Sequence, residues 1–70
     1  MSDEITTVEA TGKETSSRQS ARIDAAQKLG RELNRRGLID VSDAWWEIHF
    51  DPDRPGRFYA TAKVKARPRR

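Results

Sequence analysis

Ser16–Gly37, SSRQSARIDAAQKLGRELNRRG, is the one long stretch of this 70-residue chain in which spacing, end signals and charge agree on a single structure. Ser16 followed three residues later by Gln19 reads as a capping box, in which serine and glutamine side chains satisfy each other's free backbone amides. Arg35, Arg36 and Gly37 read as the matching stop. Basic residues in a last turn face the negative end of the helix dipole, and glycine accepts the left-handed conformation that closes a helix. Between these ends Ile23, Ala26, Leu29, Gly30 and Leu33 form one stripe, and Asp24, Gln27, Lys28, Arg31, Asn34 and Arg35 lie opposite. A stripe this narrow predicts a surface helix resting on a flat apolar partner.

Downstream of the helix, Trp46, Ile48 and Phe50 alternate with Trp45, Glu47 and His49, the period of a strand with one buried face. Phe58, Ala60, Ala62 and Val64 alternate with Tyr59, Thr61, Lys63 and Lys65 in the same way. Asp51–Arg57, with two prolines and a glycine, stops both strands and makes a hairpin loop. Pairing Phe50 with Phe58 then sets Ile48 against Ala60 and Trp46 against Ala62. The alanines of the last strand leave room for Leu29 and Leu33 to descend between aromatics. Upstream, Ile5–Ala10 is rich in β-branched residues and reads as a strand with Thr6, Val8 and Ala10 on one face. Thr11–Thr15 reads as a turn, and residues 38–43 as a connection whose apolar residues fold under the sheet edge, or as one more helical turn.

The order strand, helix, strand, strand predicts a two-layer α+β fold, β-α-β-β. One helix packs on a three-stranded sheet with the last strand central, because a right-handed crossover puts the first two strands parallel at the edges. Residues 1–70 make one small domain, ordered from about 5 to 66, with a basic tail over 67–70. The uncovered face carries Trp45, Glu47, His49, Tyr59, Thr61, Lys63 and Lys65.

Composition narrows the function. Apolar residues are 34% of the chain and cysteine is absent, so the core is small and no disulfide or thiolate metal site reinforces it. Such chains often gain stability as oligomers or on larger partners, so a homo-oligomer or a protein partner is an expectation. No apolar run reaches the roughly 20 residues of a membrane span. The opening Met-Ser-Asp-Glu has the wrong charge for a signal peptide, and a cytoplasmic location with no membrane partner is expected. A single histidine, no thiol and no phosphate loop argue against an enzyme. Asp51 and Asp53 flank a proline and read as turn residues rather than metal ligands.

The net charge of +3, with its excess late in the chain, points instead to a polyanion. Arg18, Gln19 and Arg22 open the helix, where free backbone amides also attract anions. Pro52, Arg54 and Arg57 make a stiffened basic loop suited to groove shape, and Arg67, Arg69 and Arg70 end the chain. The expectation is a non-catalytic protein that binds structured nucleic acid, duplex RNA above all, through these residues and needs no cofactor.

Two resemblances accompany that reading. Ser17, Arg18, Gln19, Ser20, Ala21, Arg22 and then Ala25, Ala26 resemble the second helix of double-stranded RNA-binding domains. Pro52, Asp53, Arg54, Arg57 and Phe58 resemble that family's first hairpin, in circularly permuted order. The resemblance implies that basic side chains of the helix straddle phosphates and the loop enters a minor groove. Val8, Glu9 and Gly12, Ser17 and Ala21, Trp45, Trp46, Glu47 and Ile48, and Phe58, Thr61, Lys63 and Val64 are similar to the dodecins, small flavin-storing proteins. That likeness implies an oligomer in which Trp45 stacks on a flavin. Independently of any family, Trp45, His49, Tyr59 and Lys63 are a ligand or interface set on the uncovered face, since exposed aromatics often anchor interfaces.

Overall fold

The structure is a computed structural model and describes residues 4–69; Arg70 and residues 1–3 lie outside it. Its elements are β1 (Thr6–Thr11), α1 (Arg18–Arg36), β2 (Leu38–Asp40), β3 (Trp45–Phe50) and β4 (Phe58–Pro68). The eleven-residue β4 is the spine of an antiparallel sheet. β1 runs along one side of it, from Thr6 opposite Ala66 to Thr11 opposite Thr61. On the other side β3 and β2 follow one another, so the α+β class and the central position of the last strand stand as expected. The β3–β4 register also stands: Phe50 faces Phe58, Ile48 faces Ala60 and Trp46 faces Ala62.

Four expectations need correction. The sheet has a fourth short strand, because Leu38–Asp40 neither folds under the sheet edge nor adds a helical turn but pairs with Ala66–Pro68. Arg67 and Pro68 therefore belong to β4 rather than to a tail. The helix is capped by Ser17, not Ser16: the Ser17 hydroxyl accepts from the Ser20 amide at 3.2 Å. The cause lies one element upstream. Thr15 exchanges two backbone hydrogen bonds of 2.7 Å with Phe58, and this holds the chain extended until Ser17. Residues 12–15 are thus no free turn. Gly12 to Thr15 advances three residues while Ala60 to Phe58 advances two, which is a one-residue bulge in a continuing β1–β4 ladder.

The fourth correction concerns the buried stripe. It is Ala21, Ala25 and Leu29, at spacing i, i+4, i+8, with Leu33 half-buried beyond them, and Ile23 is 52% exposed. Ala26 and Gly30 are exposed as well. Alanine on the helix meets Ala60, Ala62 and Ala66 on β4 and Val8 on β1, so the helix lies close to the sheet only where both surfaces are small. Trp46 and Phe50 are too bulky to fit beneath a helix at that separation. α1 accordingly covers β4 and β1 and barely touches β3, leaving Trp46 39% and Phe50 71% exposed.

The helix ends as its sequence predicts, with Gly37 left-handed at φ 67° and its amide donating to the Asn34 carbonyl at 3.2 Å. A second tie fastens its first half. The Asp24 carboxylate accepts from the Lys13 amide at 2.7 Å and meets Lys28 Nζ at 3.3 Å. That amide hydrogen bond, helped by Lys28, holds the Asp24 carboxyl below its ordinary value. A group depressed in the folded state contributes stability above its unfolded pKa and loses it as pH falls through the folded one. Asp24→Asn is therefore expected to lower stability at neutral pH and to flatten the loss below about pH 4. Thermal melts between neutral and acid pH check this; parallel curves for the two proteins would contradict it.

Candidate nucleic-acid interface

The cations singled out in the sequence are divided between two ends of a molecule 49 Å long. Arg18, Arg54 and Arg57 meet at the end where β4 begins. The Arg18 guanidinium lies 5.1 Å from the centroid of the Phe58 ring, an attraction between a cation and the ring's negative face. Arg54 and Arg57 are drawn to one carboxylate: Arg54 Nη1 is 3.1 Å and Arg57 Nε 3.7 Å from Glu14 Oε1. Arg57 also donates to the Glu14 carbonyl at 3.4 Å. Glu14 is brought there by the bulge after Gly12. Arg22 and Gln19 are exposed on the helix, and Pro52 is exposed in the hairpin loop. The Asp53 amide donates to Asp51 Oδ1 at 2.9 Å, so Asp51 does serve the turn. Glu14, Asp51 and Asp53 stand at this end, and of them Glu14 alone pairs with arginines among the described residues.

Arg67 and Arg69 stand at the other end, about ten strand steps or 34 Å away. They are joined there by two arginines that the sequence presents as helix-stop signals. The Arg69 amide donates to the Gly37 carbonyl at 3.0 Å and its guanidinium to Asn34 Oδ1 at 3.0 Å. Leu38 pairs with Pro68 and Ile39 with Arg67. The close of α1 and the close of β4 are thereby clasped together, which brings Arg69 against the helix end that carries Arg35 and Arg36, while Arg67, one strand step earlier than Pro68, lies at the same end on the face turned away from α1. Glu32 is the carboxylate nearest them, at 2.6 Å from Arg35 Nη2 and 4.0 Å from Arg36 Nη1. The Arg35 hydrogen bond holds the Glu32 carboxyl below its ordinary value. Among the described residues Asp40 and, just ahead of β1, Glu4 are further acids of this end. Arg67 and Arg69 form no ion pair among the described residues; Arg67 donates only to the Pro68 carbonyl at 3.4 Å. The charge of this end comes from residues far apart in sequence, which is why Arg35 and Arg36 are missed by a motif reading.

Trp45, His49, Tyr59 and Lys63 do share the uncovered face, since Trp45 sits opposite Lys63 and His49 opposite Tyr59. His49 and Tyr59 stack on each other, their ring centroids 4.8 Å apart. Lys63 turns away from Trp45 to Glu47 Oε2 at 3.0 Å and Glu9 Oε1 at 3.7 Å. The Glu47 hydrogen bond, aided by both charges, raises its pKa. Beside this triad Thr11 and Thr61 hydroxyls bond at 3.0 Å, and Thr61 is buried. Of the four, Trp45 alone is left with a large exposed ring and no described polar or ring partner.

No protein-family model, curated protein or solved structure matches this chain. The likenesses to double-stranded RNA-binding domains and to dodecins rest on the short motifs quoted above. No helix among the described residues is long and apolar enough to cross a membrane.

Proposed function

We propose that this chain binds structured nucleic acid without acting chemically on it, and that its principal phosphate contacts are made by Arg35, Arg36, Arg67 and Arg69. The observation that carries this reading is the clasp at Gly37, which brings the arginines closing α1 and those closing β4 to one end of the molecule, where Arg67 and Arg69 form no ion pair among the described residues. Arginine suits the task because its planar fork of donors matches phosphate oxygens and never loses its charge near neutral pH. Arg18 and Arg22 make a weaker second zone at the far end of β4. A ligand that reaches both zones has to hold a span of about 34 Å, roughly ten base pairs of a stiff duplex. A single strand would have to be held extended to do the same. That favours a duplex, and the likeness of the loop at Pro52 and Arg54 to a hairpin of double-stranded RNA-binding domains favours RNA.

Fluorescence anisotropy with labelled duplex RNA, duplex DNA and single strands of one length, each at low and high salt, tests the proposal. The expected result is tightest binding to duplex RNA and a steep loss of affinity as salt rises. No binding to any of the three at low salt would end the nucleic-acid reading. Preference for the single strand would end the duplex assignment.

A further inference from the structure

The outer edges of β3 and β1 are both left without a partner by the fold, and it is the β3 edge that carries large exposed apolar side chains, Trp46 and Phe50. We infer that two copies of this chain associate through it, β3 against β3, in an antiparallel dimer centred on Ile48. This inference does not depend on the nucleic-acid reading.

The ladder shows which backbone groups are free. The Asp51 amide donates to the Arg57 carbonyl at 3.4 Å, and the Val41 amide to the Lys65 carbonyl at 2.8 Å, so the odd-numbered residues of β4 serve this side. Gly12 donates to Ala60 at 2.9 Å and Thr15 pairs with Phe58, so the even-numbered ones serve β1. In an antiparallel ladder the residues of one strand turn alternately toward and away from a given neighbour. Trp45, Glu47 and His49 thus bond β4, while Trp46, Ile48 and Phe50 present their N–H and C=O groups to the open edge. Such an edge is a template for another strand unless it is bent, covered or charged. Here the outward-turned residues are all apolar. Their side chains lie on the helix side of the sheet, where α1 leaves Trp46 and Phe50 exposed.

The sequence of β3 is complementary to itself in one register. Residues directly opposite each other share a face, so a two-fold axis has to pass through a residue rather than between two. Centred on Ile48, the pairing sets Trp46 against Phe50 twice and Ile48 against Ile48 on the helix side. On the other side it sets Glu47 against His49 twice. Aromatic pairs and acid–base pairs are both favourable across strands. Centred on Glu47, the same strands would put two glutamates directly opposite, which is unfavourable. β1 offers no comparable partner: on its helix side Val8 is buried and Ala10 half-buried, and its exposed residues are Thr6, Thr7, Glu9 and Thr11, none of them apolar. A β3-to-β1 contact would also leave edges open and build a filament, whereas β3-to-β3 closes on itself. With six residues on each side the interface is small, and the dimer dissociates on dilution.

The test is sedimentation of the full chain over a wide concentration range, with amide exchange measured at both extremes. The expected result is a monomer–dimer equilibrium. The Trp46, Ile48 and Phe50 amides gain protection on concentration, while those of Glu47 and His49, already bonded to β4, change little. Phe50→Lys, a substitution at an exposed side chain, should shift the equilibrium to monomer without lowering the melting temperature at concentrations where the parent is itself a monomer. A monomer at every concentration overturns the inference. So does a dimer that Phe50→Lys leaves intact, or protection that appears on Thr7, Glu9 and Thr11 instead.

Discussion

Gly12→Ala is expected to lower the melting temperature of this chain by about 10–15 °C, from a stability loss of about 2 kcal/mol. Gly12 is buried where β1 passes under α1, and a methyl group there would lie 2.7 Å from Asp24 Oδ2, 2.8 Å from the Ala25 nitrogen and 3.2 Å from the Ala25 Cα. The carboxylate could turn aside only by giving up the Lys13 amide and Lys28. The Ala25 backbone is in mid-helix, so making room for the methyl lifts α1 off the alanines of β4. Overpacking of this kind costs about 1–3 kcal/mol, a large part of the roughly 3–10 kcal/mol that a domain of this size has. Gly30→Ala is the control. Nothing lies within 4 Å of the added carbon, so helix propensity should make that variant more stable by about 0.5–1 kcal/mol. Melts followed by circular dichroism compare the two, and a Gly12→Ala protein as stable as the parent would show that helix and strand are not so closely packed.

The same close packing explains what can and cannot be read from the sequence. The β3–β4 hairpin is fully legible, because strict alternation and a proline-rich loop leave one register that puts Phe58, Ala60 and Ala62 on the apolar side. The ends of the helix are legible to within one residue, and the shift to Ser17 comes from Thr15 pairing with Phe58 across the fold. The helix face misleads because Ile23 and Gly30 look like part of a core stripe, whereas close packing on an alanine-lined strand selects Ala21 and Ala25. Size pattern, rather than hydrophobicity, decides the rotation. At the site, Arg18, Arg54 and Arg57 do lie together, but Arg67 and Arg69, read from the sequence as part of the same set, stand at the other end, and nothing local signals that Glu14 engages Arg54 and Arg57 from 40 and 43 residues away. The arginine end is invisible for the opposite reason. Its members read separately as a helix stop and a tail, and only the clasp of Arg69 on Gly37 brings them to one end.

Replacing Arg35, Arg36, Arg67 and Arg69 together by glutamine should weaken binding to a duplex about tenfold at moderate salt. On B-form DNA each phosphate neutralised by the protein adds about 0.9 to the steepness of log affinity against log salt; Glu32 already engages Arg35 and Arg36, so deleting the four removes about 1.8, the share of Arg67 and Arg69. The parent should accordingly lose affinity by about tenfold more than the variant between roughly 50 and 200 mM salt. Changing Arg18, Arg54 and Arg57 instead should remove no more than about one unit of slope, since Glu14 already engages the last two. The four substitutions are at the surface and cost the fold only the exposed Glu32 and Asn34 interactions, so the melting temperature should fall little. The decisive measurement is the salt slope of duplex binding for the parent and these two variants, taken side by side. A slope that collapses in the Gly37-end variant and survives in the other is the predicted result; a slope that collapses with Arg18, Arg54 and Arg57 and survives without the other four would contradict it.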